Sequence, residues 1–253
     1  MRASVVDRLS RDGALLLGGA RAILLQSADP IVAAAVAAHS NFANRPVDRL
    51  HNTLTFVYGV MLGTPAEAAI VAKVATQAHA RIPGANDPAH QLWVAATLYD
   101  TAVRVHERIY GPIPPADGDA VLASYARLGT SLRVHAASWP SNTAEFAAYW
   151  TATVSALEVG PDAKQVAHDL FHPTTSPLWL RAILPLANLL TASLLDPPLR
   201  QAYGMPWDRA RERRAAAAWA VIRALTRVLP QRALTAPSRR YLVRVRAMLS
   251  RAS

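Results

Sequence analysis

Signals that begin and end helices recur along the whole chain and constrain its fold more than any other feature. Thr64 and Glu67 flank Pro65 in a capping box, in which each side chain accepts a backbone N–H at the first turn of a helix. Pro83 and Gly84 form a stop of the kind that ends helices. Between such signals alanine and leucine dominate, and β-branched residues do not alternate with polar ones as they do in strands. The chain is therefore predicted to be all-α.

These signals divide the chain into about ten helices and a last one near the C-terminus. The predicted helices span residues 4–26, 30–39, 46–61, 65–82, 88–109, 118–136, 143–157, 162–171, 178–194, 207–229 and 237–250. The proline-rich loop from Gly111 to Asp119 is the one candidate domain boundary, and its prolines favour a stiff connection inside one domain. We therefore expect residues 1–253 to form a single multi-helix domain.

Composition and charge narrow the class of protein. Of 253 residues, 52% are hydrophobic and 17% are charged, which excludes a disordered chain and allows a sizeable core. The net charge of +10 comes almost entirely from arginine and is compatible with nucleic acid or an anionic membrane. The basic residues are not interleaved with aromatic ones and no nucleic-acid motif is present, so no nucleic-acid partner is predicted. An arginine-rich genome bias is the simpler explanation of the charge.

The absence of cysteine removes several chemistries. Disulfides, iron–sulfur clusters, thiolate ligation of haem, covalent haem attachment and cysteine-type zinc sites are all excluded. The charged residues from Arg2 to Asp12 are not typical of a signal peptide. The longest apolar run, Ile183 to Leu195, is short for a membrane span and is interrupted by Pro185 and Asn188. We therefore expect a cytoplasmic protein, with peripheral membrane contact as an open alternative.

The segment from Leu178 to Leu195 is apolar and carries a single charge, Arg181. It is expected to face a hydrophobic tunnel, a partner or a membrane surface, and burial in the core is the alternative. Because the chain is basic, a membrane contact of this segment would favour anionic lipid.

His79 is the main candidate for a metal ligand. It borders an apolar stripe on the helix predicted for residues 65–82, formed by Ala68, Val71, Ala75, Ala78 and Ile82. The residues before it are small, so a flat macrocycle could approach the helix closely. A partly buried imidazole is one of the few groups with which a cysteine-free helical protein can hold a haem iron. A core histidine satisfied by hydrogen bonds is the alternative.

Three polar residues share a helix face about 25 residues earlier in the chain. Arg49, Asn52 and Thr53 have the spacing i, i+3 and i+4 and would present a cation, an amide and a hydroxyl together. In an apolar pocket such groups can position bound dioxygen. Alternatively, Arg49 is solvated and Thr53 bonds to its own helix.

The other histidines carry weaker signals. His168 and His172 have the i, i+4 spacing of two metal ligands, but no glutamate follows His168 and His172 precedes Pro173 at a predicted helix end. His106 and His135 follow charged neighbours and are expected to be exposed. No G-x-S-x-G elbow or phosphate-binding glycine loop is present, so hydrolase chemistry is not supported.

Seven short stretches, in their order and spacing, carry a family resemblance. They are Leu24 to Pro30, His39 to Phe42, Arg49 to Thr53, Gly63 to Ala68, His79 to Gly84, Trp93 to Leu98 and Leu199 to Trp207. The chain resembles the MpaB-type oxygenase family, which also contains the rubber oxygenases known as latex-clearing proteins. This resemblance implies an all-helical fold with a globin-like core and non-covalent haem b.

The resemblance also implies roles for individual residues. His79 stands in the segment that holds the proximal iron ligand of rubber oxygenases. Arg49 and Thr53 match an arginine and a threonine on the distal side, whereas Asn52 replaces a lysine, so polyisoprene cleavage is not implied. Arg49 or Arg81 would pair with a haem propionate.

Two functional hypotheses follow. The first is a haem b-dependent oxygenase that uses dioxygen on an apolar, isoprenoid- or lipid-like substrate. The second is a non-catalytic helical protein that keeps the family fold and binds haem or a hydrophobic ligand. If His79 is not the axial ligand, His39 or His51 is the next candidate.

Overall fold

The computed structural model describes residues 4–39, 46–173 and 178–252, and within these ranges the regular secondary structure is entirely helical. Ser40 to Phe42, part of one stretch that carries the resemblance, lies outside the described residues, as do the side chains of His39 and Arg49. The prediction of an all-α fold is confirmed.

The first half of the chain contains seven α-helices. They are α1 (Val5–Arg11), α2 (Gly19–Ser27), α3 (Pro30–His39), α4 (Pro46–Leu62), α5 (Pro65–His79), α6 (Pro88–Tyr110) and α7 (Pro115–Thr130), with a 3-10 helix (Gly13–Gly18) between α1 and α2.

The second half contributes a further seven within the described ranges. They are α8 (Thr143–Ser155), α9 (Pro161–Phe171), α10 (Leu178–Leu194), α11 (Pro197–Ala202), α12 (Arg209–Val228), α13 (Gln231–Leu234) and α14 (Ala236–Ala252), preceded by a 3-10 helix (Ala136–Ser138).

The predicted capping box at the start of α5 is present and has an additional role. The backbone N–H of Glu67 donates to Thr64 Oγ1 over 3.3 Å, and that of Thr64 donates to Glu67 Oε2 over 2.8 Å. Glu67 Oε1 also lies 3.1 Å from Arg246 Nε in α14. The backbone N–H of Thr64 lowers the pKa of Glu67, and Arg246 adds to that shift. One carboxylate therefore caps α5 and attaches the C-terminal helix to it.

Two predicted helix boundaries are wrong for local reasons. The first predicted helix is interrupted at Asp12, whose carboxylate accepts from the backbone N–H of Ala14 over 2.9 Å and starts the 3-10 helix. The helix predicted for 118–136 begins at Pro115 and ends at Thr130. It ends there because the N–H groups of Leu132 and Val134 turn back to the carbonyl of Gly129.

The core is organised around α6, which packs against α2, α7, α12 and the first 3-10 helix. Aromatic side chains fill the space between α6 and α8: the Tyr99 and Phe146 rings meet edge to face at 4.6 Å, and the Trp93 and Trp150 rings lie 5.3 Å apart. The Nε1 atom of Trp93 donates to the carbonyl of Leu25. This packing fixes one end of α6, where the cavity described below is formed.

His106 is buried, so its predicted exposure is wrong, whereas His135 is exposed as predicted. On α6, His106 shares a face with the buried Ala102 and Ile109, and this helical position outweighs its charged neighbours. Its ring centroid lies 5.1 Å from that of Tyr110. Burial lowers the pKa of His106 to about 4, and the charge of Arg8 adds to the shift.

The apolar segment in α10 divides into two halves. Leu190 and Leu194 are buried in the core, whereas Leu178, Ile183 and Leu186 are exposed. In the part of the chain that the structure describes, no single helix has the length and apolar character to cross a membrane. One pair of helical segments meets the criteria of length and apolar character only when the two are taken together, residues 13–27 and 30–37. The chain bends by 110° between these two segments.

Candidate functional site

A cavity of about 820 Å³ lies among α3, α4, α5, α6 and α14. Its walls are mainly apolar, and its volume falls inside the range of about 300–1,000 Å³ that is usual for small-molecule sites. Apolar side chains from all five of these helices form the walls, among them Val36, Phe56, Val71, Val74, Val94 and Met248.

His79 lines this cavity from the last position of α5. Helix α5 ends there because the next residues form a tight turn, in which the N–H of Ile82 donates to the carbonyl of His79 over 2.9 Å. The Nδ1 atom of His79 is buried. Ala75 and Ala78 line the wall beside it, so the small residues on this face border open space.

Most of the predicted apolar stripe of α5 borders the cavity. Val71, Ala75, Ala78 and Ile82 all line it. Val74 also lines it and is 45% exposed, an unusual exposure for a large apolar side chain in mid-helix. An apolar helix face that borders an open cavity is suited to an apolar ligand.

Asn52 and Thr53 in α4 line the same cavity as His79, so the fold brings these three predicted site residues together. Both side chains are exposed. The hydroxyl that bonds to its own helix is that of Thr55, which donates to the carbonyl of His51 over 2.6 Å. Among the described residues, the Thr53 hydroxyl makes no such bond. Because Thr53 lines the cavity, its hydroxyl is available there as a donor and acceptor for a ligand.

The predicted arginines are placed differently. Arg49 belongs to α4, but its side chain is outside the described part of the structure. Arg81 is exposed in the turn after α5 and is not among the residues that line the cavity. Neither arginine is therefore shown to reach the cavity, and their pairing with a propionate stays a prediction.

His90 is a second histidine that lines the cavity. Its Nδ1 atom lies 3.3 Å from the carbonyl oxygen of Gly84, and its Nε2 atom lies 3.8 Å from Asp29 Oδ2. Both ring nitrogens thus face oxygen acceptors. Asp29 in turn caps α3 by accepting from the N–H of Ile31 over 2.8 Å. The imidazole of His90 links the start of α6 to the start of α3 and is poorly arranged to ligate iron.

His51, the alternative axial ligand within the described residues, does not line the cavity. Its Nδ1 atom lies 2.6 Å from the hydroxyl of Tyr241 in α14. The Tyr241 ring also stacks on Tyr58 at 5.7 Å. His51 is therefore part of the contact between α4 and α14.

Two glutamines on the cavity wall have their amides occupied. Gln91 Nε2 donates to the carbonyl of Ala85 over 3.1 Å, and Gln91 Oε1 accepts from the N–H of Arg133 over 2.8 Å. Gln26 Nε2 donates to Thr97 Oγ1 over 3.0 Å. These amides hold the loop after α5 and the start of α6 in place and leave little capacity for a ligand.

The C-terminal helix contributes a wall that sequence reasoning missed. Arg244, Ala247, Met248 and Arg251 line the cavity at positions i, i+3, i+4 and i+7, which form one face of α14. Helix α14 packs on α4 and α5. The spacing was visible in the sequence, but the stretches that carry the resemblance end at Trp207, and nothing local indicates where α14 docks.

A bare metal ion is not supported. Across the described ranges, no group of three or more histidine or acidic side chains is close enough to hold one. The rings of His168 and His172 stack at 4.8 Å on the surface. The Nδ1 atom of His172 is engaged by the carbonyl of His168 at 3.1 Å. A metal in the cavity would therefore have to belong to a cofactor that needs only one ligand from the protein.

The fold and the cavity together define a helical protein with a large, mainly apolar ligand site that is also lined by two imidazoles, a few amides and hydroxyls, and two guanidinium groups. Residues 7–224 match the family model described as ER-bound oxygenase mpaB/B'/Rubber oxygenase, catalytic domain. The chain belongs to this family, and the resemblance seen in the sequence is confirmed. Membership supports an oxygenase. Helix α14 lies beyond the matched residues.

Two mycobacterial proteins are similar to this chain. The uncharacterized proteins Rv2237 of Mycobacterium tuberculosis and Mb2261 of Mycobacterium bovis are each 31% identical over 203 residues. The match covers 76% of this chain and 80% of each relative. No solved structure matches the chain, so the expected globin-like core stays a prediction.

Proposed function

We propose that this protein is a haem b-dependent oxygenase that acts on a small apolar substrate of isoprenoid or lipid type. The observation that carries the proposal is that His79, Asn52 and Thr53 line one apolar cavity of about 820 Å³. Family membership supports oxygenase chemistry, and the apolar walls support the substrate class.

The donor set around the cavity fits haem b. The iron of haem b would be held by a nitrogen ligand from the protein, and His79 offers an imidazole on a wall of small residues. The macrocycle needs apolar walls, which Val71 and Val74 begin to form. Its propionates need cations, and Arg244 and Arg251 line the same cavity. A chain without cysteine has no thiolate to replace the imidazole.

When bound, haem would supply an iron with a position open to dioxygen. His79 would hold the group in the cavity, and its ring must be neutral to offer a lone pair to the iron. Asn52 and Thr53 would donate hydrogen bonds to a polar ligand in an otherwise apolar site. The apolar walls would orient the substrate and exclude water.

Asn52 stands where a rubber oxygenase has a lysine, and this difference bears on the choice of substrate. An amide carries no charge and cannot act as an amine ligand, so the distal groups of this chain are arranged differently from those expected of a rubber oxygenase. A cavity of this volume holds a small molecule rather than a long polymer. We therefore propose a discrete isoprenoid or lipid as the substrate.

The same proposal places the protein in the cytoplasm, in peripheral contact with membrane that holds such substrates. The exposed residues Leu178, Ile183 and Leu186 of α10 and the net charge of +10 support a contact with anionic lipid.

The proposal is tested with haem-reconstituted protein, a reductant, a set of small isoprenoid and unsaturated lipid alkenes, and isotopically labelled dioxygen. Label in a product of the wild type, and its loss in His79→Ala, is the expected result. The matched control is His135→Ala, which removes an exposed histidine outside the cavity. Haem-loaded wild type that never transfers label would favour the alternative, a helical protein that binds haem or a hydrophobic ligand without turnover.

A further inference from the structure

Helix α14 supplies the only charged guanidinium groups among the described residues that line the cavity. Arg244 and Arg251 stand seven residues apart on one face, about 10 Å along the helix axis. No described lysine or acidic residue lines the cavity with them. Both side chains are exposed, so they lie where solvent enters an otherwise apolar space.

The arginines of α14 are divided between two tasks. Arg246 points to another side of the helix and pairs with Glu67, with Nε and Oε1 3.1 Å apart. In the described part of the chain, the guanidinium groups of Arg244 and Arg251 form no salt bridge and no hydrogen bond. If Arg244 and Arg251 served only to attach α14, we would expect each to pair with an acidic residue, as Arg246 pairs with Glu67.

Two cations without acidic partners create a positive potential at the rim of a low-dielectric cavity. Guanidinium groups form short, charge-assisted and often bidentate hydrogen bonds with carboxylates. The cavity therefore combines walls that suit a hydrocarbon body with a rim that suits an anionic end. A neutral hydrocarbon would use the walls and leave the rim unused.

We propose that Arg244 and Arg251 bind the carboxylate end of an amphiphilic ligand, whose apolar body fills the cavity. The carboxylate comes either from the propionates of haem or from an acidic lipid substrate, and this inference rests on the proposed function of the cavity as a site for both. Helix α14, which carries both arginines, lies beyond the residues 7–224 that match the family.

The experiment measures dissociation constants for two pairs of ligands that differ only in the carboxylate. The first pair is haem b and its dimethyl ester, and the second is a long-chain unsaturated fatty acid and the alcohol of the same length. Binding is followed by calorimetry and by quenching of tryptophan fluorescence, in wild type and in the double variant R244Q/R251Q. The matched control is R227Q/R240Q, which removes two exposed arginines that do not line the cavity.

The expected result is that wild type prefers the carboxylate form of at least one pair by about tenfold or more, as charge-assisted hydrogen bonds predict. R244Q/R251Q loses that preference, and R227Q/R240Q keeps it. Loss confined to haem b assigns the arginines to the propionates, and loss confined to the fatty acid assigns them to a substrate. Circular dichroism of each variant verifies that the helices remain.

Several results would overturn the inference. If wild type binds haem b and its dimethyl ester equally well, and also binds the fatty acid and the alcohol equally well, the cavity has no carboxylate site. This result needs no variant. A preference that survives in R244Q/R251Q places the site elsewhere. Wild type could also take up no haem and still prefer the fatty acid through these two arginines. That result would contradict the proposed haem function but retain this inference, so the two failures are distinguishable.

Discussion

The Nη2 atom of Arg21 lies 2.6 Å from Oδ2 of Asp100 in the interior of the protein, and the Arg21 side chain is completely buried. Two other nitrogens of the group also donate hydrogen bonds, Nη1 to Thr101 Oγ1 and Nε to the carbonyl of Leu194, each over 2.8 Å. Burial lowers the pKa of Arg21, while Asp100 opposes that shift. One guanidinium therefore joins α2, α6 and the end of α10.

We predict that Asp100→Ala lowers the free energy of unfolding by about 3–5 kcal/mol, because it leaves a buried cation without its anion. Urea denaturation measures the change. The control is Arg11→Ala, which breaks an exposed pair with Asp7 at 3.6 Å and should cost less than about 1 kcal/mol. Equal effects of the two substitutions would show that the buried pair has no special weight.

The burial of His106 predicts a pH dependence of stability. Its pKa is lowered from 6.5 to about 4 in the folded protein, so the unfolded chain takes up the proton first as the pH falls. Stability should therefore be full above about pH 6.5 and decline by about 3 kcal/mol between there and about pH 4.

His106→Gln should flatten this decline in urea denaturation over the same pH range, although it lowers stability at neutral pH. His135→Gln, at an exposed position, should leave the decline as in wild type. A decline that persists unchanged in His106→Gln would assign it to other groups.

Two adjacent glycines predict opposite effects of the same substitution. A Cβ atom on Gly18 would collide with Thr101 Cγ2 and lie 2.8 Å from Val105 Cγ2, in the contact between the 3-10 helix and α6. A Cβ atom on Gly19 would meet nothing within 4 Å. We expect Gly18→Ala to cost about 1–3 kcal/mol and Gly19→Ala to be neutral or to stabilise by up to about 1 kcal/mol. Similar melting temperatures for the two variants would contradict this packing.

Filling the cavity should block its ligand without unfolding the protein. Ala78 lines the cavity and is exposed, so Ala78→Trp places a large ring in open space. We expect haem uptake and binding of an apolar fluorescent dye to fall by at least about tenfold, with little change in melting temperature. Ala80→Trp is the control, because Ala80 is exposed two residues away and does not line the cavity. Unchanged uptake in Ala78→Trp would place the ligand elsewhere.

Local signals made the helices predictable, and long-range packing made part of the site unpredictable. The starts of α5 and α6 at Pro65 and Pro88 follow from capping residues within one turn. That His79 and Thr53 share a cavity was expected from the family resemblance, because helical periodicity alone does not say which faces meet. Arg244 was missed because its role depends on where α14 docks, which no neighbouring residue indicates.

The axial role of His79 is the central claim, and a titration of purified protein with haem b tests it most directly. Wild type should bind one haem per chain with a sharp Soret band, His79→Gly should lose that spectrum and affinity, and added imidazole should restore the spectrum by replacing the missing ring. His90→Gly, at the other described histidine of the cavity, should retain it. A wild-type spectrum and affinity in His79→Gly without imidazole, or no haem uptake by wild type, would contradict the account.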